Sequence, residues 1–258
     1  MKSSSRFYPL VLGGAALLAV LGLWLIISQM AGPKILPRPW SILEEIARLW
    51  RTPLSGRPLS GHIFFSLRRV LAAFGLAVLT GLPLGLALGW FPVFRKIVTP
   101  IFEIFRPIPP IAWIPIAILW LGVGEGSKIF ICYVGAFIIL VLNSLAGTLY
   151  VDRTLVNAAR VFGANQKRLF LEVALPAALP AIFAGLQNGL SMAWMCVLAA
   201  ELVGGREGVG FIIIQGMNMD RVDMIMAGMA VIGALGAIFA ALLRVLEKTL
   251  CPYRKQLV

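Results

Sequence analysis

The sequence predicts an all-α polytopic membrane protein: one transmembrane domain over residues 1–258 with six membrane-spanning helices. Three observations predict it. Of the 258 residues, 60% are hydrophobic and only 13% charged, more apolar surface than a soluble core of this size could hide. The apolar residues gather into runs of roughly twenty, the length a helix rising about 1.5 Å per residue needs to cross a hydrocarbon layer of about 30 Å. None of these runs alternates like a barrel strand, so each satisfies its backbone internally as a helix.

The first run, Pro9 to Met30, follows Lys2 and Arg6 as a signal peptide would. It is too long for one and lacks a small-x-small cleavage site, so it reads as a retained first helix within residues 1–31. Residues 32–61 form an external segment in which Pro33, Pro37, Pro39, Pro53 and Pro58 surround a short helix from Trp40 to Arg51. Ile42, Ile46, Leu49 and Trp50 share one face of it, and Glu44, Glu45, Arg48 and Arg51 fall mostly elsewhere. That pattern suits a helix lying in the membrane interface, with a packed loop helix as the alternative.

A core over residues 62–250 follows. The second span, Val70 to Phe91, extends back toward His62; it spaces Gly81, Gly85 and Gly89 four apart for close helix packing and bends at Pro83. The third, Ile97 to Leu121, cannot be one uninterrupted helix, because Pro107, Pro109, Pro110 and Pro115 remove its donors. Such a break lines a route, acts as a hinge, or is a packing kink. Glu103 and Arg106 lie three apart and can pair on one face there. The fourth span is Ile129 to Tyr150, the fifth Ile182 to Val203 and the sixth Met224 to Leu246. On the fifth, Gln187, Ser191 and Trp194 step by four and three onto one face. With Asn188 and Glu201 they form either a polar stripe along a pathway or a helix-to-helix hydrogen-bond network. Arg106 and Trp113, on the broken span, complete the pathway candidates.

Between the fourth and fifth spans lies a polar loop, 151–176. Its Asn157-Ala158-Ala159-Arg160 stretch, with Gly163 and Ala164, offers small side chains to a partner, and Arg153, Arg160, Lys167 and Arg168 keep it out of lipid. It reads as a docking helix.

The net charge of +12 sits largely at the ends of apolar runs, where it meets lipid headgroups and sets orientation, so nucleic acid is not an expected partner. Charges in the later loops favour both termini inside, while the basic residues between Lys34 and Arg69 are discordant. Three cysteines without CxxC spacing and a single histidine indicate no metal site, cofactor or disulfide framework. Gly204 to Gly210 is glycine-rich but lacks the preceding strand and the Lys-Ser/Thr of a phosphate loop. No nucleophile, base or metal set marks an enzyme. The energy source for uphill transport therefore lies on another subunit, unless the protein is a secondary transporter driven by an ion gradient.

The loop also carries a resemblance. Ala158, Ala159, Gly163, Leu175 and Pro176 match, at the right spacings, the permease signature of ABC importers: Glu-Ala-Ala, three residues, Gly, nine residues, Ile-x-Leu-Pro. Val173 stands for the Ile and Asn157 replaces the Glu. Leu36 to Trp40, Arg106 to Pro115 and Ala199 to Glu201 are similar to the nitrate, sulfonate, taurine and bicarbonate branch. The resemblance implies a type I ABC importer permease fold with cytoplasmic termini and a coupling helix between helices 4 and 5. Asn157, Ala158, Ala159, Arg160, Gly163, Ala164, Leu175 and Pro176 would then serve ATPase coupling. It further implies a non-catalytic subunit in the bacterial inner membrane, working as a homodimer with two ABC ATPase copies and a periplasmic or lipid-anchored binding protein, and moving a small anionic solute.

Overall fold

The computed structural model describes the backbone of residues 7–250 and the side chains of residues 12–249; Lys2, Arg6, Cys251, Arg254 and Lys255 lie outside them. The elements are α1 (Phe7–Ala31), α2 (Pro39–Arg51), α3 (Leu59–Trp90) and α4 (Pro92–Phe105). A 3-10 turn (Pro110–Trp113) leads to α5 (Ile114–Leu121) and α6 (Glu125–Leu149). Then come α7 (Arg153–Val161), α8 (Gln166–Arg168), a π turn (Leu169–Ala174), α9 (Leu175–Leu202), α10 (Val209–Asn218) and α11 (Val222–Leu250).

Among the described residues five helices are long and apolar enough to cross a bilayer, and the pair α4 and Pro110–Leu121, bent by 80°, makes a sixth. The prolines that forbid a continuous third span thus produce two helices at a steep angle. Two spans are longer than their apolar runs. α3 starts at Leu59, because His62, Ser66 and Arg69 are buried with partners and need no loop to reach water. The fifth span begins at Gln166 and runs unbroken to Leu202. Pro176 cannot donate to the preceding turn, and just before it the helix widens, Leu175 N–H bonding to Phe170 O five residues back.

α3, α6 and α9 form the centre, around Val70, Ala73, Ala77, Cys132, Ala136, Leu140, Ala193 and Val197. Glycines set how closely they approach. A methyl group at Gly85 would lie 2.5 Å from Val141 O and 2.7 Å from Ser144 Cβ, so that position requires glycine, and one at Gly81 would lie 3.1 Å from the Phe137 ring, a tight contact. α9 meets α6 the same way, through Gly185 against Asn143 and Gly189 against Leu140.

α2 is the packed alternative. Ile42 and Leu49 join Leu59, Val209, Ile212, Met224 and Ala227 in a second cluster. Glu45 belongs to this buried face, only 3% exposed, because Arg221 and Arg48 both reach its carboxylate at 2.6 Å. Trp50, assigned by pattern to the apolar contact face, is exposed. α1 stands apart, pinned by Trp24 Nε1 donating to Pro37 O (3.0 Å) and Ser28 Oγ donating to Leu36 O (2.8 Å). α7 and the end of α3 share one end of the bundle, where Trp90 and Phe170 pack at 5.2 Å. The starts of α3 and α6 and the end of α9 lie at the far end.

Candidate functional site

The 151–176 loop folds into a helix closed at both ends by its own residues. Asp152 is the N-cap, its Oδ1 accepting from Thr154 N–H at 2.8 Å. That hydrogen bond holds the carboxyl below its ordinary value of 3.8. At the other end Gly163 N–H donates to Arg160 O (2.9 Å) and Ala164 N–H to Ala159 O (3.0 Å), the paired bonds of a Schellman motif. The motif needs a left-handed residue, and Gly163 has φ +81°. A methyl group there would meet nothing within 4 Å. Within this chain Gly163 therefore ends the helix and is not part of its small-residue face. Asn157, Ala158 and Arg160 are exposed, Ala159, Ala164 and Leu175 half-buried, and Pro176 exposed. Val161 and Phe162, 86% and 89% exposed, project at the tip beside Leu155. Asn165 Oδ1 caps the next turn by accepting from Arg168 N–H (2.9 Å), leading the chain into the long fifth span.

Gln187, Ser191 and Trp194 do come together. They line a cleft of about 200 Å³ between α9 and α11, with Met195, Gly236 and Phe239. Gln187 Nε2 donates to Glu247 Oε2 (2.8 Å) and Trp194 Nε1 to Ile232 O (3.0 Å), so the stripe carries both a cleft and helix-to-helix hydrogen bonds. Arg106 pairs with Glu103 at 3.1 Å on an exposed surface at the bend. Trp113 packs between Phe105 and Phe130, and its Nε1 is buried without a hydrogen-bond partner. Neither lines the α9–α11 cleft. Glu201 is also apart from it, 1% exposed and lining no open surface.

Instead Glu201 belongs to a cluster at the far end, organised by Arg69, whose side chain is wholly buried. Arg69 Nε and Nη2 hold both oxygens of Glu125 (2.8 and 2.5 Å), while Nη1 donates to Glu201 Oε1 (2.7 Å) and Glu207 O (2.8 Å). Glu201 also accepts from Ser66 Oγ (2.7 Å) and Gly210 N–H (2.9 Å). Ser66 Oγ accepts from Val209 N–H (2.9 Å), and His62 Nδ1 from Gly208 N–H (3.2 Å). His62 Nε2 faces Leu54 O at 3.2 Å, so its hydrogen bonds assign the proton to Nε2. Lys128 stands 3.6 Å from Glu125, balancing the two acids with two bases. The glycine-rich loop wraps the Glu201 carboxylate: a methyl group at Gly208 would collide with it, and one at Gly210 would come 2.8 Å from Glu201 Cβ.

Residues 81–252 match the model of the binding-protein-dependent transport system inner membrane component family. The chain is a permease of that family. The permease is 34% identical to the taurine transport system permease protein TauC of Escherichia coli over 260 residues, covering 96% of this chain and 91% of TauC. It is 32% identical to the nitrate import permease protein NrtB of Synechocystis, covering 95% of this chain and 91% of that one. Its fold matches a chain of the MetNI methionine ABC transporter in an inward-facing conformation, with a TM-score of 0.66 at 21% identity, covering 74% of this chain and 95% of that chain. The type I architecture, the multi-pass inner-membrane location and the non-catalytic role all follow. So does reliance on an ATPase and a binding protein, which sets aside the ion-gradient transporter. Sequence reasoning placed Arg69 among the external basic residues of the permease and so missed the cluster's hub. The available signal was an acid embedded in apolar sequence, Glu201, followed at once by the glycines of Gly204 to Gly210.

Proposed function

We propose that the permease forms half of a homodimeric pathway for a small anionic solute of the taurine, sulfonate, nitrate or bicarbonate kind, served by two ATPase copies and a periplasmic or lipid-anchored binding protein. In this reading α7 lies on the cytoplasmic side and is the element the ATPase grips. The observation that carries it is the construction of α7: a short helix capped at both ends by Asp152 and Gly163, projecting Val161 and Phe162 into the open between basic residues. Two large apolar side chains at the tip of a rigid protrusion fit a cleft in a partner protein. ATP-driven closure of the ATPase pair pulls the two protrusions together, and the long helix that continues from α8 through α9 carries that motion into the cleft at Gln187, Ser191 and Trp194. Asn157, in place of the signature Glu, stays exposed on the same helix as Ala158, and the apolar tip supplies the grip.

The solute class rests on the relatives named for taurine and nitrate. Its identity is read from the ligand retained by the binding protein purified with this permease. ATP-dependent uptake of that ligand should be abolished by Phe162→Asp, which leaves membrane insertion intact but removes the ATPase from the purified complex. Normal uptake by that variant overturns the reading.

A further inference from the structure

The far end of the permease holds two acids and two bases in a cluster whose central pair, Arg69 and Glu201, is closed to solvent. A buried ion pair is weak evidence for stability, since desolvation offsets most of its attraction; its best-attested use is to specify one arrangement over another. Here the arrangement specified is that of the Gly204–Gly210 loop. The loop holds almost no side chains that could pack, so its position comes from hydrogen bonds: Arg69 to Glu207 O, Gly210 N–H to Glu201, Val209 N–H to Ser66 and Gly208 N–H to His62. These hydrogen-bonding anchors come from α3 or α9, helices locked to α6 by glycine contacts, and Arg57, just before α3, adds an ion pair to Glu207 at 2.6 Å. What hangs from the loop is α10, seated with Val209 and Ile212 against α2 and α11. The edge of the cluster is wet: Glu125 is 39% exposed and Glu207 26% exposed, so water can reach and replace its contacts.

We propose that Arg69 and Glu201 are positioning residues of an outer latch, which holds the 204–210 loop and α10 shut across the far end of the pathway while the ATPase is idle and lets go when that end opens. The glycines are then part of the device, because only a backbone without side chains wraps closely enough around one carboxylate to be held by it. The proposal rests on the reading above, in which the ATPase pair drives the motion of the pathway. Its test is read at the far end, independently of α7.

The test uses the permease assembled with its ATPase, in proteoliposomes, with Cys132, Cys196 and Cys251 changed to Ala and Ile212→Cys added on α10. Without ATP, the thiol introduced on α10 should resist a membrane-impermeant maleimide applied from the binding-protein side. Glu201→Gln keeps the side-chain shape but removes the charge that Arg69 pairs with. It should raise the labelling rate at least about tenfold, the population change expected from losing one charge-assisted hydrogen bond. It should also raise ATP hydrolysis in the absence of binding protein. If this variant fails to assemble, Ser66→Ala and Arg69→Lys decide the matter, each expected to raise labelling by a smaller factor. An assembled variant that melts earlier yet keeps the α10 thiol as protected as in the parent, with basal hydrolysis unchanged, shows a purely structural cluster and overturns the latch. If α7 variants lose the ATPase while this protection pattern holds, the latch stands separately from the coupling reading.

Discussion

Replacing Gly163 separates two reasons for a glycine at the end of α7. The residue sits at φ +81° and closes the helix through the Ala164 N–H to Ala159 O bond. A residue with a Cβ in this region costs about 1–2 kcal/mol, and Asn, whose short side chain bonds locally, costs less. Nothing in the chain lies within 4 Å of a methyl group at this site, so Gly163→Ala is penalised by the backbone alone. A cost of about 1–2 kcal/mol lowers the ratio of closed to open turn by a factor of about 5–30. The apparent affinity for the ATPase falls by up to the same factor. The assay is titration of purified ATPase against nanodisc-embedded permease, alongside uptake. The structure predicts parent above Gly163→Asn, and Asn above Ala. If Ala binds as well as the parent, the capped turn is not what the ATPase recognises. If Asn is worse than Ala, the size of the side chain against the partner decides, and the backbone argument is refuted.

Gly85→Leu should drive α3 and α6 apart, since even its Cβ falls 2.5 Å from Val141 O. Overpacking of this kind costs about 1–3 kcal/mol, read as a lower melting temperature with uptake falling in parallel. Trp194→Phe removes the donor to Ile232 O across α9 and α11, a loss of about 1 kcal/mol; uptake kinetics should change while ATPase association does not. The Asp152 carboxyl is held below 3.8 in the folded chain, so its cap is complete at neutral pH and is lost only as pH falls below that value. ATPase association should therefore be flat from about pH 8 to about pH 5 and insensitive to Asp152 titration, whereas Asp152→Ala should weaken it throughout that range.

The spans were legible because length and apolar content alone decide what crosses a bilayer, and the packing face at Gly81 and Gly85 because close helix approach has few other solutions. What escaped was polar chemistry between distant positions. Arg69 next to Val70 reads as the last loop charge before a span, and its pairing with Glu125, 56 residues away, and with Glu201, 132 residues away, keeps it inside. Glu45 breaks the face pattern of α2 for the same reason, with Arg221 arriving from the turn before α11. α10 is only ten residues long, too short to register as a span and preceded by glycines that read as loop. In the 151–176 loop the residue types and spacing were visible, but the reason for Gly163 was not: small size and a positive φ call for the same residue, and only the backbone tells them apart. Gln187, Ser191 and Trp194, which helical periodicity puts on one face, line one cleft, whereas Glu201, on the same helix, faces the loop that follows it.

The central claim is that force enters this permease through α7. The most direct measurement is cross-linking in the complex assembled with its ATPase and binding protein, using Phe162→Cys in the cysteine-free chain and a short thiol-reactive photo-cross-linker. One dominant product should join residue 162 to the ATPase, its yield changing between nucleotide-free and ATP-bound states. A product with the binding protein instead, or none with the ATPase in any nucleotide state, contradicts the claim.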